Sequence, residues 1–327
     1  MKKMEDSPVF AASIEEHGYH YPRRPIGFCI YCGQSDPSQL TDEHIAPEGL
    51  QGTIELKKAS CQECACKTGY SEGQILQGPL GAVRERFGWY GKRRKHDRPE
   101  TLMLELLRKD WSREKIEVPS KDCPLAFRMP RFPAPRFLKP PHPDDSDYLR
   151  KHDFRKIDTA ADESFFEALL KADPGREKVL LDMEVFELSK VLAKIAYGFS
   201  VYFLGAHTIR PFVTDIIIAP RGEAPSFLHY VGGAFIADCP IDHLTTTDLG
   251  KCVVRLEEHD GKAIVMARIQ LLGPFNTPVY EVVVVEHIPP SDEPKIYVPT
   301  KAQPMKSYKQ LLSESVSLQL FLKSQAL

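Results

Sequence analysis

Cys29-Ile30-Tyr31-Cys32, Thr41-Asp42-Glu43-His44-Ile45-Ala46-Pro47 and Cys61-Gln62-Glu63-Cys64 follow one another as two Cys-x-x-Cys pairs bracketing an acidic-His-x-x-Pro segment. Four thiols in two such pairs have the ligand spacing of a closed tetrahedral zinc site, which can staple a module too poor in large apolar side chains to fold alone. Gly33, directly after the first pair, lets the backbone turn its amides toward the sulfurs. The 28 residues between the pairs exceed the loop of many zinc ribbons and fit an inserted functional element. Cys66 competes with Cys64 as the fourth ligand, and the x-x spacing favours Cys64. Within the insertion, His44 stands beside a carboxylate, the combination that metal-dependent hydrolysis requires.

Working outward, residues 53–56 alternate like a short strand, with Gly49 and Gly52 punctuating the loop before it. After Cys61 the periodicity becomes helical. Thr68, Ser71, Glu72, Ile75 and Leu76 recur at three- and four-residue spacing, which predicts a helix over 62–77. Ser60 is its expected N-cap, with Glu63 completing a capping box. A second helix is expected from Pro79 to Phe87, since proline is tolerated in a first turn.

The run "LTDEHIAPEGLQG" between two knuckles, followed by that helix, resembles the HNH nuclease family over about residues 28–90. The resemblance implies an HNH-like ββα-metal module that hydrolyses phosphodiester bonds in DNA, in a bacterial or phage setting. It makes Glu43 a ligand of a catalytic Mg²⁺ or Mn²⁺ and His44 the general base that activates water; zinc on Cys29, Cys32, Cys61 and Cys64 is then structural. The chain departs from the family pattern after the second knuckle, where Ala65 replaces the usual Asn or His. The family's second-strand Asn is also missing, and the single asparagine, Asn276, lies far outside the module. Glu72, seven residues after Ala65 and on the same helical face, is the expected replacement for metal binding and catalysis; Thr68, between them, could add a hydroxyl. The alternative is a non-catalytic zinc module that binds nucleic acid or a protein partner.

Composition narrows the partners. With 43 basic and 45 acidic side chains, the chain has no global attraction for nucleic acid, so DNA contact needs a local patch. Residues 91–98 supply one, with Lys92, Arg93, Arg94 and Lys95, and Arg84 follows the metal helix as a further phosphate contact. No apolar run is long enough to span a membrane and no secretory signal is evident. A cytoplasmic home is therefore expected, where clustered cysteines bind metal more often than they pair. Cys123, Cys239 and Cys252 are scattered and expected in the core.

The fold class expected is α+β, in four parts. Residues 1–26 form a tail, 27–118 the zinc module with its basic loop, 119–150 a strap, and 151–327 a C-terminal α+β domain with an antiparallel sheet. The strap holds eight prolines between 119 and 143, interleaved with Phe127, Phe132 and Phe137. That composition argues against a helix or a central strand and for an extended segment packed on a surface. Beyond it, helices are expected over 158–172 and 176–204, then strands over 215–219, 226–232, 251–257, 263–271 and 279–287. Asp260-Gly261 is a hairpin signal. A closing helix is expected from 307 onward.

Overall fold

The structure, a computed structural model, describes residues 10–14, 25–89, 100–110, 112–138, 153–157, 160–177, 181–207, 209–223, 227–236, 239–240 and 250–287. The chain runs β1 (Phe10–Ile14), β2 (Leu40–His44), β3 (Glu55–Cys61), α1 (Gln62–Gln77), α2 (Gly81–Phe87), β4 (Thr101–Arg108) and β5 (Arg113–Pro119). Next come β6 (Phe127–Arg131), β7 (Asp153–Ile157), α3 (Ala160–Ala172), β8 (Arg176–Glu177), β9 (Leu181–Asp182) and α4 (Val185–Leu204). It continues through β10 (Ile209–Pro211), α5 (Thr214–Ile217), α6 (Phe227–Tyr230), β11 (Val231–Gly233), β12 (Phe235–Ile236) and β13 (Cys239–Pro240). The last described elements are β14 (Gly250–His259), β15 (Lys262–Leu271) and β16 (Val279–His287). Helices and mainly antiparallel sheets are both present, so the fold is mixed α+β. No helix among the described residues is long and apolar enough to cross a membrane.

Strands β2 and β3 pair as an antiparallel hairpin that leads directly into α1. The register breaks between Thr41 and Glu43, and Asp42 organises the bulge. Its carboxylate accepts from Lys57 Nζ at 2.9 Å and from the amide of Lys58 at 3.0 Å, while Lys58 takes a φ of 51°. Helix α1 spans the 62–77 expected, but Cys61 rather than Ser60 is its N-cap. Ser60 is the penultimate residue of β3 and fully buried, so its hydroxyl is not placed to cap.

The large sheet has the order β1-β14-β15-β16-β10, with β11 also on β16. Alternation puts Cys252 and Val254, Ala267 and Ile269, and Val282 and Val284 into the main core, which α4 shares through Leu188, Leu192, Ile195 and Phe199. That core continues without a break to Cys29, Ile45, Leu50 and Ile75 of the four-cysteine region. Two contacts show how closely α4 meets that region. Tyr197 Oη donates to the carbonyl of Ile30 at 3.0 Å, and Gly198 lies against Ile45. A Cβ on Gly198 would sit 2.8 Å from Ile45 Cγ2, a branched side chain that is fully buried. Alanine gains about 1 kcal/mol of helix propensity over glycine. Overpacking a closed contact costs about 1–3 kcal/mol. Gly198→Ala is therefore expected to lower the urea midpoint, whereas an unchanged or higher midpoint would mean that Ile45 yields freely.

Several sequence expectations are corrected. Residues 10–14, placed in a tail, form an edge strand parallel to β14, which supplies the partner their own sequence does not advertise. The 176–204 helix begins only at Val185: Arg176 and Glu177 pair with β4, and Leu181 and Asp182 with β6. Glu184 caps the true start, accepting from the Glu187 amide at 2.6 Å. Residues 214–217 are a helical turn rather than a strand, and the 226–232 segment splits into α6 and β11. Short apolar runs such as Ile216-Ile217-Ile218 carry no period that separates the two. The second helix of the four-cysteine region starts at Gly81, two residues after Pro79.

Within the proline-rich stretch, Phe127 and Phe132 are buried and Phe137 is half-buried among Phe212, Tyr230 and His229. Its first part nevertheless forms β6, the middle strand of β7-β6-β9. Only Phe127 and Arg128 are paired on both sides. Pro130 faces β7 alone, so its missing N–H removes no second ladder. The rest of the strap beyond 138 and the closing helix from 307 lie outside the described residues.

Candidate metal and acidic site

The ligand atoms of Cys29, Cys32, Cys61 and Cys64 all lie within 4.8 Å of one another, with the sulfurs of Cys32 and Cys61 3.6 Å apart. Tetrahedral Zn–S bonds of about 2.3 Å place sulfurs about 3.8 Å apart, so the four can hold a metal such as zinc. The first pair sits in a turn where Gly33, at φ 78°, donates its amide to the Cys29 carbonyl at 2.8 Å. The second pair uses the end of β3 and the first turn of α1, where the amide of Cys64 points at Cys61 Sγ from 3.5 Å. A helix N-terminus favours thiolate there. Cys66 is exposed and outside the cluster, so Cys64 is the fourth member. Burial raises the thiols of Cys29 and Cys64 above the ordinary range, and the charge of Cys29 raises Cys64 further. Two such groups side by side cannot both ionise without a cation between them.

A second polar centre lies between β2, α1 and α4. Glu43 Oε1 accepts from Tyr31 Oη at 3.1 Å and pairs with Lys194 Nζ at 3.0 Å. Lys194 Nζ also meets Glu72 Oε1 at 2.5 Å and donates to the His44 carbonyl. Glu43 is 5 % exposed and the Lys194 side chain 3 %, so three oxygens converge on one ammonium away from bulk water. Burial raises the Glu72 carboxyl, with Lys194 opposing and Glu43 adding to the shift. Burial alone would depress Lys194, but Glu72 and Glu43 outweigh it and raise its pKa, so the ammonium stays charged across the neutral range. Tyr31 is pushed well above the ordinary phenol value by burial and then by Glu43.

His44 follows Glu43 on the strand, and alternation turns its ring to a different set of partners. Nε2 lies 3.0 Å from Oε1 of Glu55, its cross-strand neighbour, and the side chain is 27 % exposed. Nε2 therefore has the Glu55 carboxylate as its partner. Nδ1 is buried and has no hydrogen-bond partner. The imidazole is near enough to Glu72 for its charge to favour the Glu72 carboxylate. Glu43 and Glu72 thus share one centre, with the His44 backbone in it and the His44 ring beside Glu55.

Among the described residues, the four cysteines are the one group of three or more His, Cys, Asp or Glu side chains that converges tightly enough to hold a metal. Glu43 and Glu72 converge as a pair, and the remaining donors are the His44 carbonyl and whatever water supplies. Thr68 is buried and donates to the Ala65 carbonyl at 3.3 Å. Arg84 is half-buried and donates to the carbonyls of Leu76 at 3.1 Å and Trp89 at 3.2 Å, tying the end of α1 to α2. Lys92, Arg93, Arg94 and Lys95 lie outside the described residues.

Sequence reasoning missed Lys194, Tyr31 and Glu55. Lys194 left a trace: the charged residues of α4 are Glu187, Lys190 and Lys194, spaced three and four residues apart on one face of an otherwise largely apolar helix. Charges on the inward face of an apolar helix need buried partners. Here Glu187 and Lys194 face α1, where Ser71 Oγ donates to Glu187 Oε2 at 2.5 Å and Glu72 meets Lys194, while Lys190 Nζ reaches Glu187 Oε1 at 3.2 Å within α4.

No protein-family model matches the chain, and neither a curated protein nor a solved structure does.

Proposed function

We propose that the chain is a metal-dependent endonuclease of the HNH type acting on DNA. The observation that carries this reading is the meeting of Glu43 and Glu72 at one cation position together with the His44 carbonyl, while the His44 ring is held by Glu55. The four cysteines serve as the structural zinc site: four thiolates leave a metal no open position for water or phosphate. Glu43, Glu72 and the His44 carbonyl are hard oxygen donors of the kind that Mg²⁺ or Mn²⁺ takes, and Lys194 presently fills their common point. A bound divalent ion would supply stabilisation of the charge that develops on the phosphate. His44 would act as the general base toward the attacking water, with Glu55 steadying the imidazolium that results. Lys92, Arg93, Arg94, Lys95 and Arg84 are the proposed phosphate contacts.

The test is nicking of supercoiled plasmid with Mg²⁺ or Mn²⁺. Wild type is expected to cut, and His44→Ala to cut about 10²–10⁴-fold more slowly while keeping its zinc and its circular dichroism. Equal cutting by both proteins would remove His44 from the mechanism. The second reading, a zinc module that binds nucleic acid or a protein partner without cleaving, draws on the Lys194 ammonium in the cation position. DNA retained on a filter with no cleavage under any divalent ion would favour it.

A further inference from the structure

We infer that Lys194 is a built-in competitor for the divalent ion at Glu43 and Glu72, so that α4 controls whether this acidic pair can load metal. The inference rests on the reading of Glu43 and Glu72 as cation ligands and is independent of hydrolysis. Three observations carry it. The ammonium is surrounded by oxygens from three different places: Glu43 Oε1 at 3.0 Å on β2, Glu72 Oε1 at 2.5 Å on α1, and the His44 carbonyl. That shell of two anionic oxygens and one carbonyl is what a hard divalent cation also selects. Second, two carboxyl groups face the single ammonium, one acidic group more than the one cation that they contact. Third, Lys194 is held against this site by its helix. One turn earlier Lys190 is fastened by Glu187 and by the carbonyls of Ala219 and Pro220, at 3.2, 3.3 and 2.7 Å.

Ammonium and metal cannot share the position. An ammonium hydrogen-bonds oxygen at about 2.7–2.9 Å, while Mg²⁺ sits about 2.0–2.1 Å from its ligands. Both cations need the same lone pairs, and two positive charges at one buried point repel strongly. Metal can enter only as the Lys194 ammonium leaves, and its apparent affinity is lowered by the fraction of time the ammonium is in place. Taking away the ammonium should therefore create affinity rather than destroy it, the reverse of what removing a ligand does.

The experiment uses the full-length, zinc-loaded protein with Mn²⁺ alone as probe, titrated while free Mn²⁺ is followed by electron paramagnetic resonance. Thermal melts are run in parallel with and without Mn²⁺. Lys194→Met is expected to bind one Mn²⁺ at least about tenfold more tightly than wild type, and to gain more melting temperature on adding Mn²⁺ than wild type does. The double variant Lys194→Met with Glu43→Gln should lose both gains. Lys194→Gln, which keeps one hydrogen bond without charge, gives the same comparison if the methionine variant does not fold. Mn²⁺ binding by Lys194→Met or Lys194→Gln no tighter than wild type would overturn the inference, and so would a gain that survives Glu43→Gln. Tighter binding with no plasmid nicking would uphold this inference while sinking the nuclease reading. Nicking by wild type with no gain in either variant would do the opposite.

Discussion

Loss of metal from Cys29, Cys32, Cys61 and Cys64 is expected to unfold the hairpin and α1, the largest single effect in the molecule. Structural zinc contributes an apparent 10–16 kcal/mol or so to small modules near neutral pH, about the whole net stability of a typical domain. Three of the four cysteines are buried, and they belong to the same core as α4, so the loss would propagate beyond the knuckles. Purified protein should carry one zinc per chain, and Cys29→Ser should carry none. A strong chelator should then remove far-UV signal from wild type in step with its zinc. Protons should act in the same direction as chelator. Burial raises the thiols of Cys29 and Cys64, so protons compete for them more strongly than for exposed thiols and metal is released as pH falls. Stoichiometric zinc in the serine variant, or a spectrum unchanged after its removal, would show that the sulfurs are not the staple.

The next largest effect belongs to Glu187. Its two oxygens serve Lys190 Nζ at 3.2 Å, Ser71 Oγ at 2.5 Å and the amide of Gly222 at 2.9 Å. Glu187→Ala removes the counter-charge of a lysine whose side chain is 2 % exposed, takes the acceptor from the Gly222 amide and leaves Ser71 Oγ only its longer contact to the Lys67 carbonyl. Breaking a buried pair from one side costs about 3–5 kcal/mol, because the remaining charge stays behind. Urea denaturation should show that loss. Glu187→Gln, which retains an acceptor for Ser71 or Gly222, should lose less. A change below about 1 kcal/mol for the alanine variant would mean that water reaches Lys190 and solvates it, as at an ordinary surface pair.

What could be read from the sequence was local in origin. The Cys-x-x-Cys pairs, the helix from Gln62 and the β14–β15 hairpin at Asp260-Gly261 each announce themselves within a few residues, and each stands where expected. Elements whose partners are remote left no such mark. Phe10–Ile14 is a strand only because β14 lies beside it, and Arg176–Glu177 is one only because β4 does. The candidate site divides the same way. Glu43, His44 and Glu72 are named through the resemblance of the inserted segment to a family motif, and Glu43 and Glu72 do meet at Lys194. Lys194 could not be tied to them, since nothing local relates a lysine in an apolar helix to a carboxylate 122 residues earlier.

That separation also sets an order of events in time. At about 5–20 residues per second, a ribosome needs roughly 6–24 s to travel the 122 residues from Glu72 to Lys194. During that interval the four cysteines are already present and free to capture zinc, whereas Glu43 and Glu72 have been made without their ammonium. The nascent chain therefore passes through a stage in which Glu43 and Glu72 have no Lys194 to pair with, and the arrival of α4 supplies it.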